Sequence, residues 1–369
     1  MMQLLFFAVS ALVLLFGHFL VWLSVVKFFS LVTVSAKLTV ALVIVFMFIS
    51  AIASSYMIHK WDNIFTRWYY MTSGFWIGLI LNFGLMILVV LIIKLISSLI
   101  GFNVEPQLLQ TILIAGTLII SVFGLYNAFT PKVKEYEIKV KDLPVSWYGK
   151  SVVQISDVHL GPVYRRHFFS KVIDKINKLE PEAVFITGDL FDGMEADFSW
   201  MHAPFAKLKT NKGVYYSFGN HDLYLGFDRV KDLLKDGQVK ILDNKLVVVD
   251  DLQIIGISYS FNQDFDLYEA ILENSGYDEA KPSILLYHEP KNINLAIKAG
   301  IDLQLSGHTH RGQLFPFGAL ANLAYKGYGY GLFIKDSFSL IVSSGLGTWG
   351  PPMRTPNRSE IVKITLQPL

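Results

Sequence analysis

The first 131 residues consist of long uncharged apolar stretches separated by short polar ones. No Asp, Glu, Lys or Arg occurs in residues 1–26, 38–58, 68–93 or 106–131, and Leu, Ile, Val and Phe dominate each stretch. An α-helix rises about 1.5 Å per residue, so about 20 apolar residues span the hydrocarbon core of a bilayer. The pattern therefore predicts four transmembrane helices, at roughly 4–26, 38–58, 75–93 and 108–129.

The flanks of these stretches support a membrane domain. The first stretch has no basic residues before it, which favours a retained transmembrane helix over a cleaved signal peptide. Trp and Tyr are common at membrane interfaces, and four such residues lie between the second and third predicted spans, where an interface is expected: Trp61, Trp68, Tyr69 and Tyr70.

The distribution of basic residues predicts the orientation. Four spans place both termini on one side of the membrane, and that side carries six basic residues: Lys60, Arg67, Lys132, Lys134, Lys139 and Lys141. The opposite side carries three: Lys27, Lys37 and Lys94. Because basic residues concentrate on the cytoplasmic side, we expect the C-terminal half to be cytoplasmic.

Beyond residue 131 the pattern changes to short β-like runs alternating with helical ones. Strands are predicted at 135–140, 152–155, 183–186, 214–218, 247–249, 254–257, 284–287, 303–305 and 340–342, with helices at 168–179 and 201–208. This alternation is typical of an α/β layered domain. We therefore expect a four-helix transmembrane domain over 1–131, a linker and leading strand over 132–149, and an α/β domain over 150–369.

Composition agrees with this division and excludes several kinds of site. Charged residues make up 17% of the 369 residues, whereas soluble domains usually carry about 25%. The chain contains no cysteine, which excludes a disulfide scaffold, a Cys-ligated metal and a thiol nucleophile. A net charge of +2 and the lack of a Lys/Arg cluster near the motifs described below argue against binding to long nucleic acids.

Metal-ligating residue types follow five of the predicted strands. They are Asp157 and His159, then Asp189, then Asn220, then His288, and finally His308 and His310. Loops at the carboxyl ends of strands converge in α/β domains, so we expect these side chains to meet. Carboxylate, imidazole and amide oxygen are ligands for Mn²⁺, Fe²⁺ and Zn²⁺. Seven ligands exceed the need of one ion but suit two ions about 3.5–4 Å apart, an arrangement used in phosphoryl chemistry.

The motifs around these residues resemble those of a known family. They are Asp157-x-His159, Gly188-Asp189-x-x-Asp192-Gly193, Gly219-Asn220-His221-Asp222, His288 and Gly307-His308-x-His310. In order and spacing they are similar to the five blocks of the calcineurin-like metallophosphoesterase superfamily. The segment 345–354 resembles more narrowly its membrane-associated bacterial branch, described as YkuE-like or YaeI-like. Arg311 stands where that branch commonly has glycine, and Ser359 where it commonly has proline.

The resemblance implies a two-sheet β-sandwich flanked by helices, with a dinuclear metal site. One ion would be held by Asp157, His159, Asp189 and His310, and the other by Asp189, Asn220, His288 and His308. Asp189 would bridge the ions. The two cations would lower the pKa of a bridging water and bind the phosphate oxygens, while His221 would protonate the leaving oxygen or stabilise its charge.

Four further features are candidates for a role at the site, and three of them have two readings each. Asp192 and Asp222 either assist the site, Asp222 as a second catalytic residue, or stabilise turns. Arg354 is a candidate substrate contact within a Gly/Pro-rich loop. The segment 325–330, which contains three tyrosines and two glycines, is either a lid or membrane-facing loop or an ordinary hairpin.

These observations predict a membrane-bound, metal-dependent phosphohydrolase that cleaves a phosphomonoester, phosphodiester or pyrophosphate bond. Four helices exceed the need of an anchor, which suggests a substrate presented by the lipid bilayer, although a small phosphorylated molecule remains open. Two alternatives remain: a nucleotide or cyclic-nucleotide phosphodiesterase or nuclease with the same metals, and a non-catalytic regulatory module on a membrane transporter.

Overall fold

The computed structural model describes residues 2–260, 265–355 and 357–369. The chain forms two compact units. The helical unit comprises Met1–Tyr126 and Gly350–Met353, and the sheet unit comprises Asn127–Trp349 and Arg354–Leu369.

Four apolar helices occupy the N-terminal third of the chain. They are α1 (Met2–Phe28), α2 (Val34–Lys60), α3 (Ile64–Leu99) and α4 (Pro106–Phe129). By length and composition α2, α3 and α4 are long and apolar enough to cross a membrane, and α1 contributes the shorter apolar stretch Leu14–Phe28. Their large apolar side chains, such as Leu42, Leu95 and Ile119, are exposed in the helical unit, as expected of a surface that faces lipid.

Helix α3 begins earlier than the hydropathy pattern predicts. Trp68, Tyr69 and Tyr70 therefore belong to α3, between the predicted spans 38–58 and 75–93, and their place at a membrane interface stays a prediction. The reason for the early start is local: the Asn63 Oδ1 accepts hydrogen bonds from the backbone N–H of Phe65 (3.0 Å) and of Thr66 (3.1 Å). This N-cap starts the helix as soon as residues 61–63 have turned the chain.

The helical unit also contains a short segment from far along the chain. Gly350–Met353 packs against α3 where Gly74 and Gly78 leave room. A Cβ at Gly78 would lie 2.4 Å from the Met353 Sδ, and the Asn82 Nδ2 lies 3.5 Å from the same sulfur. Two glycines four residues apart permit this close approach.

The sheet unit is built from twelve strands within the described residues. In chain order they are β1 (Lys132–Val140), β2 (Ser151–Ile155), β3 (Ala183–Thr187), β4 (Val214–Ser217), β5 (Val239–Ile241), β6 (Lys245–Val249), β7 (Leu252–Ile257), β8 (Ser283–Tyr287), β9 (Leu303–Ser306), β10 (Gly331–Lys335), β11 (Phe338–Val342) and β12 (Glu360–Pro368). They form two six-stranded mixed sheets, with the orders β1-β12-β2-β3-β4-β5 and β10-β11-β9-β8-β7-β6. Strands β2 to β5 run parallel in the first sheet, as do β7, β8, β9 and β11 in the second.

The helices of the sheet unit are mostly short. They are α5 (Arg166–Asn177), α6 (His202–Phe205), α7 (Asn220–Leu225), α8 (Phe227–Leu234), α9 (Phe265–Ser275), α10 (Ile293–Lys298) and α11 (Phe317–Ala324). Helix α6 spans only part of the predicted 201–208 helix.

The two sheets pack face to face around a shared apolar core. Phe185 of the first sheet and Ile254 and Leu286 of the second belong to one buried cluster. A second cluster places α5 and α8 on the outer face of the first sheet, and a third places α9 and α10 on the outer face of the second. The predicted two-sheet β-sandwich flanked by helices is thus confirmed.

All nine predicted strands form, whereas β5, β10 and β12 were not predicted. Strand β1 is the leading strand predicted within residues 132–149, and it pairs in parallel with β12, with Lys132 opposite Glu360. This pairing joins residues more than 200 positions apart, which no local pattern specifies.

Candidate metal centre

All seven predicted metal ligands lie at the carboxyl ends of parallel strands. Asp157 and His159 follow β2, Asp189 follows β3 and Asn220 follows β4 in the first sheet. The other three follow strands of the second sheet, His288 after β8 and then His308 and His310 after β9. The centre therefore lies at one end of the sandwich, where loops from both sheets meet.

Their ligand atoms form three overlapping groups, each with all of its atoms within 4.8 Å of one another. The first group is Asp157, His159 and His310, and the second is Asp189, His288 and His308. A third group, His159, Asp189 and His221, overlaps both. Asp189 therefore lies where a bridging ligand is required.

Asn220 joins the second group through its side-chain oxygen. Its Oδ1 lies 2.8 Å from the His308 Nδ1 and 3.2 Å from the His288 Nε2. The structure thus brings all seven predicted ligands together.

The backbone at these residues adopts an uncommon conformation. Five of them have positive φ: Asp157 (50°), His159 (51°), Asp189 (49°), His308 (69°) and His310 (47°). Such a conformation costs of order 1–3 kcal/mol for a residue other than glycine. Strain repeated at five candidate ligands indicates that the fold tolerates a loss of stability at these positions, where the backbone directs the side chains toward one point.

Two glycines keep the strand ends close enough for this geometry. A Cβ at Gly307 would lie 1.9 Å from the Ser156 Oγ and 2.2 Å from an oxygen of Asp157. A Cβ at Gly219 would lie 2.2 Å from the Asp189 Oδ1. Any larger residue at either position would displace a candidate ligand.

Polar partners behind the imidazoles orient their inner nitrogens, through a hydrogen bond at His288 and an ion-pair contact at His159. The Nδ1 of His288 lies 2.8 Å from the carbonyl oxygen of Thr187, so an N–H there turns Nε2 toward the centre. The Nδ1 of His159 lies 3.2 Å from the Asp192 Oδ1, and its Nε2 lies 3.1 Å from the His310 Nε2. Outer partners of this kind are typical of metal-ligating histidines, and they favour the assisting role for Asp192.

The charges of the centre suit a cation. Burial by itself would lower the pKa of His288, but the adjacent Asp189 carboxylate raises it to about 10. Burial and the neighbouring His288 together lower the pKa of His308 to about 4. The centre thus stabilises positive charge beside Asp189 but does not accommodate a proton on every imidazole. A divalent cation bound by neutral imidazoles and carboxylates satisfies both conditions.

His221 lies beside the ligands and is held by two hydrogen bonds. Its backbone N–H donates to the Asp189 Oδ1 (2.8 Å), and its Nδ1 lies 2.9 Å from the carbonyl oxygen of Asp192. Burial lowers the pKa of its imidazole. With Nδ1 on a carbonyl oxygen, Nε2 is the nitrogen left to exchange a proton.

Asp222 contacts backbone rather than the ligand atoms. Its Oδ2 accepts hydrogen bonds from the N–H groups of Asp189 and Gly219, each 2.7 Å, and its Oδ1 accepts one from Phe191 (3.2 Å). Burial and the neighbouring Asp189 raise its pKa to about 7. This geometry favours a positioning role for Asp222, which fixes the backbone of Asp189, over direct catalysis.

Comparison with known proteins identifies the family. Residues 150–312 match the model of the calcineurin-like phosphoesterase family. A metallophosphoesterase of Campylobacter jejuni is 35% identical over 283 residues, which are 74% of this chain and 75% of that protein. The chain belongs to the calcineurin-like metallophosphoesterase family.

Two further relatives agree with the membrane-associated branch. A transmembrane protein with metallophosphoesterase domain from Danio rerio is 34% identical, over 70% of this chain and 63% of that protein. The metallophosphoesterase YkuE of Bacillus subtilis is 30% identical, over 63% of this chain and 84% of that protein. With three helices long enough to span a membrane, the chain fits a membrane protein that carries a metal-dependent phosphoesterase.

All seven candidate ligands and His221 fall within the matched metallophosphoesterase residues, whereas Arg354 lies beyond them. The Arg354 side chain is fully buried. Its Nε donates to the carbonyl oxygen of Gly347 (3.0 Å), and its Nη2 lies 3.1 Å from the His310 Nδ1. This placement favours support of His310 over the predicted substrate contact.

Glu289 is a residue near the metallophosphoesterase centre that the sequence did not single out. Its carboxylate is buried, and its Oε1 lies 3.5 Å from the His308 Nε2. The same oxygen accepts a hydrogen bond from the Tyr325 hydroxyl (3.1 Å) and pairs with the Lys291 Nζ (2.8 Å). Its position directly after His288 was the available signal, because a carboxylate beside a ligand is a common outer partner.

Proposed function

We propose that this protein is a membrane-bound phosphohydrolase with a dinuclear metal centre, and that its substrate is a phosphorylated lipid or lipid-linked molecule. The bond cleaved is a phosphomonoester, phosphodiester or pyrophosphate bond. Mn²⁺, Fe²⁺ and Zn²⁺ are the expected ions, given ligands of nitrogen and oxygen without sulfur.

One observation carries the dinuclear part of the proposal. Asp189 belongs to two groups of side chains that could hold an ion, one with His159 and His221 and one with His288 and His308. A carboxylate shared in this way supports assignment of one ion to Asp157, His159, Asp189 and His310. The second ion is assigned to Asp189, Asn220, His288 and His308.

When bound, two such ions neutralise phosphate charge and generate a nucleophile from water near neutral pH. The protein contributes orientation and proton transfer. Thr187 and Asp192 fix the ring planes of His288 and His159. His221 is held by a hydrogen bond from its Nδ1–H to the Asp192 carbonyl oxygen, and in its imidazolium form it can donate the second proton, on Nε2, to the leaving oxygen.

The membrane helices support the choice of a lipid-borne substrate. Helices α2, α3 and α4 are each long and apolar enough to cross a bilayer, and one such helix would suffice as an anchor. We further propose that the phosphoesterase faces the cytoplasm, because six basic residues flank the spans on its side and three on the other.

Metal-dependent hydrolysis by the detergent-purified full chain tests this proposal. Three substrates are compared in Mn²⁺: p-nitrophenyl phosphate, bis-p-nitrophenyl phosphate and phosphatidic acid in mixed micelles. We expect Mn²⁺-dependent release of product, with the lipid substrate turned over fastest.

Asp189→Asn is the test variant, since loss of the bridging carboxylate weakens both metal sites together. Asp228→Asn is its control, because Asp228 lies fully exposed on α8. Mn²⁺-dependent activity retained by Asp189→Asn would contradict the assignment of the centre. Equal turnover of soluble and lipid substrates would contradict the lipid part alone, and absence of both metal and activity would favour a non-catalytic module.

A further inference from the structure

An apolar segment lies on the surface of the sheet unit beside the metal centre. Residues 312–325 contain no charged side chain and include helix α11. No residue of α11 is buried. Leu320 is 59% exposed and Leu323 77% exposed, and Phe315 before the helix is 52% exposed. This helix therefore does not contribute its apolar residues to the core.

Trp349 extends the exposed apolar surface. Its backbone N–H donates to the Gln313 Oε1 (2.9 Å), and its carbonyl oxygen accepts from the Gln313 Nε2 (3.0 Å). The Trp349 side chain is 54% exposed. Contiguous exposed apolar groups of this kind mark an interaction site, whereas single exposed residues are ordinary.

The chemistry of this surface fits a lipid bilayer. Short amphipathic helices that lie in the membrane interface expose Phe, Leu and Trp next to basic residues. Here the exposed Lys326 directly follows the segment, placed to meet anionic headgroups. Only Thr130 and Pro131 separate the end of α4 from the first strand, so the sheet unit is tethered to a helix that can span the membrane.

We propose that the exposed apolar side chains of residues 315–324, together with Trp349, insert into the interface between headgroups and acyl chains of the bilayer. This surface holds the metal centre against the membrane and so selects phosphate groups carried by lipids. The selection of lipid phosphates rests on the proposed phosphohydrolase function. The insertion of the surface into the bilayer does not depend on that function.

The segment is linked to the metal centre by direct contacts. Tyr325, its last residue, donates a hydrogen bond to Glu289 (3.1 Å), which lies 3.5 Å from the candidate ligand His308. The Tyr325 ring also packs edge-on against the His308 imidazole, with centroids 5.8 Å apart. Insertion of the segment therefore places the ligand His308 near the lipid surface.

Site-specific fluorescence tests the insertion without reference to activity. The chain has no cysteine, so Leu323→Cys can be labelled alone with an environment-sensitive fluorophore in the full chain. The labelled protein is reconstituted into nanodiscs of phosphatidylcholine and phosphatidylglycerol, with and without nitroxide-labelled lipids. Val248→Cys is the matched control, because Val248 is apolar and 56% exposed but lies on β6, at the opposite edge of the sheet from β10.

We expect a blue-shifted emission and strong nitroxide quenching at position 323, and water-like emission with weak quenching at position 248. Weak quenching at both positions would overturn the proposal. Equally strong quenching at both would overturn it as well, because the contact would not be specific to the segment.

A double variant tests the consequence for the substrate. In Leu320→Asp/Leu323→Asp, the ratio of phosphatidic acid hydrolysis in vesicles to p-nitrophenyl phosphate hydrolysis is expected to fall about tenfold. An unchanged ratio would contradict a role in lipid selection. If neither substrate is hydrolysed by the unmodified chain, the phosphohydrolase proposal fails, while the quenching result still decides whether the segment is inserted.

Discussion

The two units bury polar side chains of different kinds. In the helical unit the buried polar side chains include neutral pairs that hydrogen-bond between helices, such as Asn82 Nδ2 to Ser121 Oγ (3.0 Å) and Ser50 Oγ to Ser73 Oγ (3.3 Å). In the sheet unit the buried polar set includes Asp157 and Asp189 among several imidazoles. A buried charge is expensive unless it is paired or coordinates a metal. The comparison separates the two units: neutral pairs join helices in one, and ionisable side chains are gathered at the metal centre in the other, where Asp157 and Asp189 lie beside the imidazoles.

The largest expected effect of a single substitution is on the rate of hydrolysis, at His221 beside the metal centre. His221→Asn removes the proton donor but leaves the seven candidate ligands in place, so hydrolysis should fall about 10²–10⁴-fold. Metal content should not change. His202→Asn, at an exposed position on α6, is the control. Parallel loss of metal and activity in His221→Asn would instead make His221 a ligand.

Removal of metal should destabilise the sheet unit. Carboxylates and imidazoles at the centre lose their compensating charge, and a metal held at 100 times its dissociation constant stabilises the fold by about 2.7 kcal/mol. Thermal unfolding is followed with Mn²⁺, with EDTA, and after Mn²⁺ is restored. Asp189→Asn should show little response to EDTA, and an unmodified chain that is equally insensitive would contradict a metal-dependent fold.

A substitution at the close contact between Gly78 and Met353 in the helical unit should lower thermal stability without changing the metal content. Gly78→Val places atoms against Met353, since even a Cβ would lie 2.4 Å from its sulfur. Overpacking of this kind costs about 1–3 kcal/mol. Gly84→Val on the same helix is the control, because a Cβ there meets nothing within 4 Å. Equal thermal stability of the two variants would contradict the packing of Gly350–Met353 on α3.

The smallest effect is expected at a neutral pair. Ser121→Ala removes the hydroxyl that accepts from Asn82, and such bonds between membrane helices average about 0.6 kcal/mol. Unfolding in a denaturing detergent would measure the loss. If Ser121→Ala lowered the free energy of unfolding as much as metal removal does, the contrast between neutral pairs in the helical unit and the metal centre of the sheet unit would be contradicted.

Much of this architecture could be predicted from sequence because its signals are local. Uncharged stretches reveal helices α2 to α4, and metal-ligating residues at strand ends reveal the seven candidate ligands. The start of α3 was missed because the Asn63 cap, rather than hydropathy, determines it.

Features that depend on distant residues could not be predicted. The pairing of β1 with β12 joins the two ends of the sheet unit, and Gly350–Met353 belongs to the helical unit although it lies late in the chain. The supporting contacts of Arg354 with His310, and of Glu289 with His308, likewise exist only once the strands have assembled.

The central claim is that Asp189 bridges two metal ions. Electron paramagnetic resonance of the Mn²⁺-loaded full chain, combined with metal analysis, tests it directly. We predict two Mn²⁺ per chain with a magnetically coupled spectrum, and loss of that coupling in Asp189→Asn. A single uncoupled Mn²⁺ in the unmodified chain, or coupling that persists in Asp189→Asn, would contradict the claim.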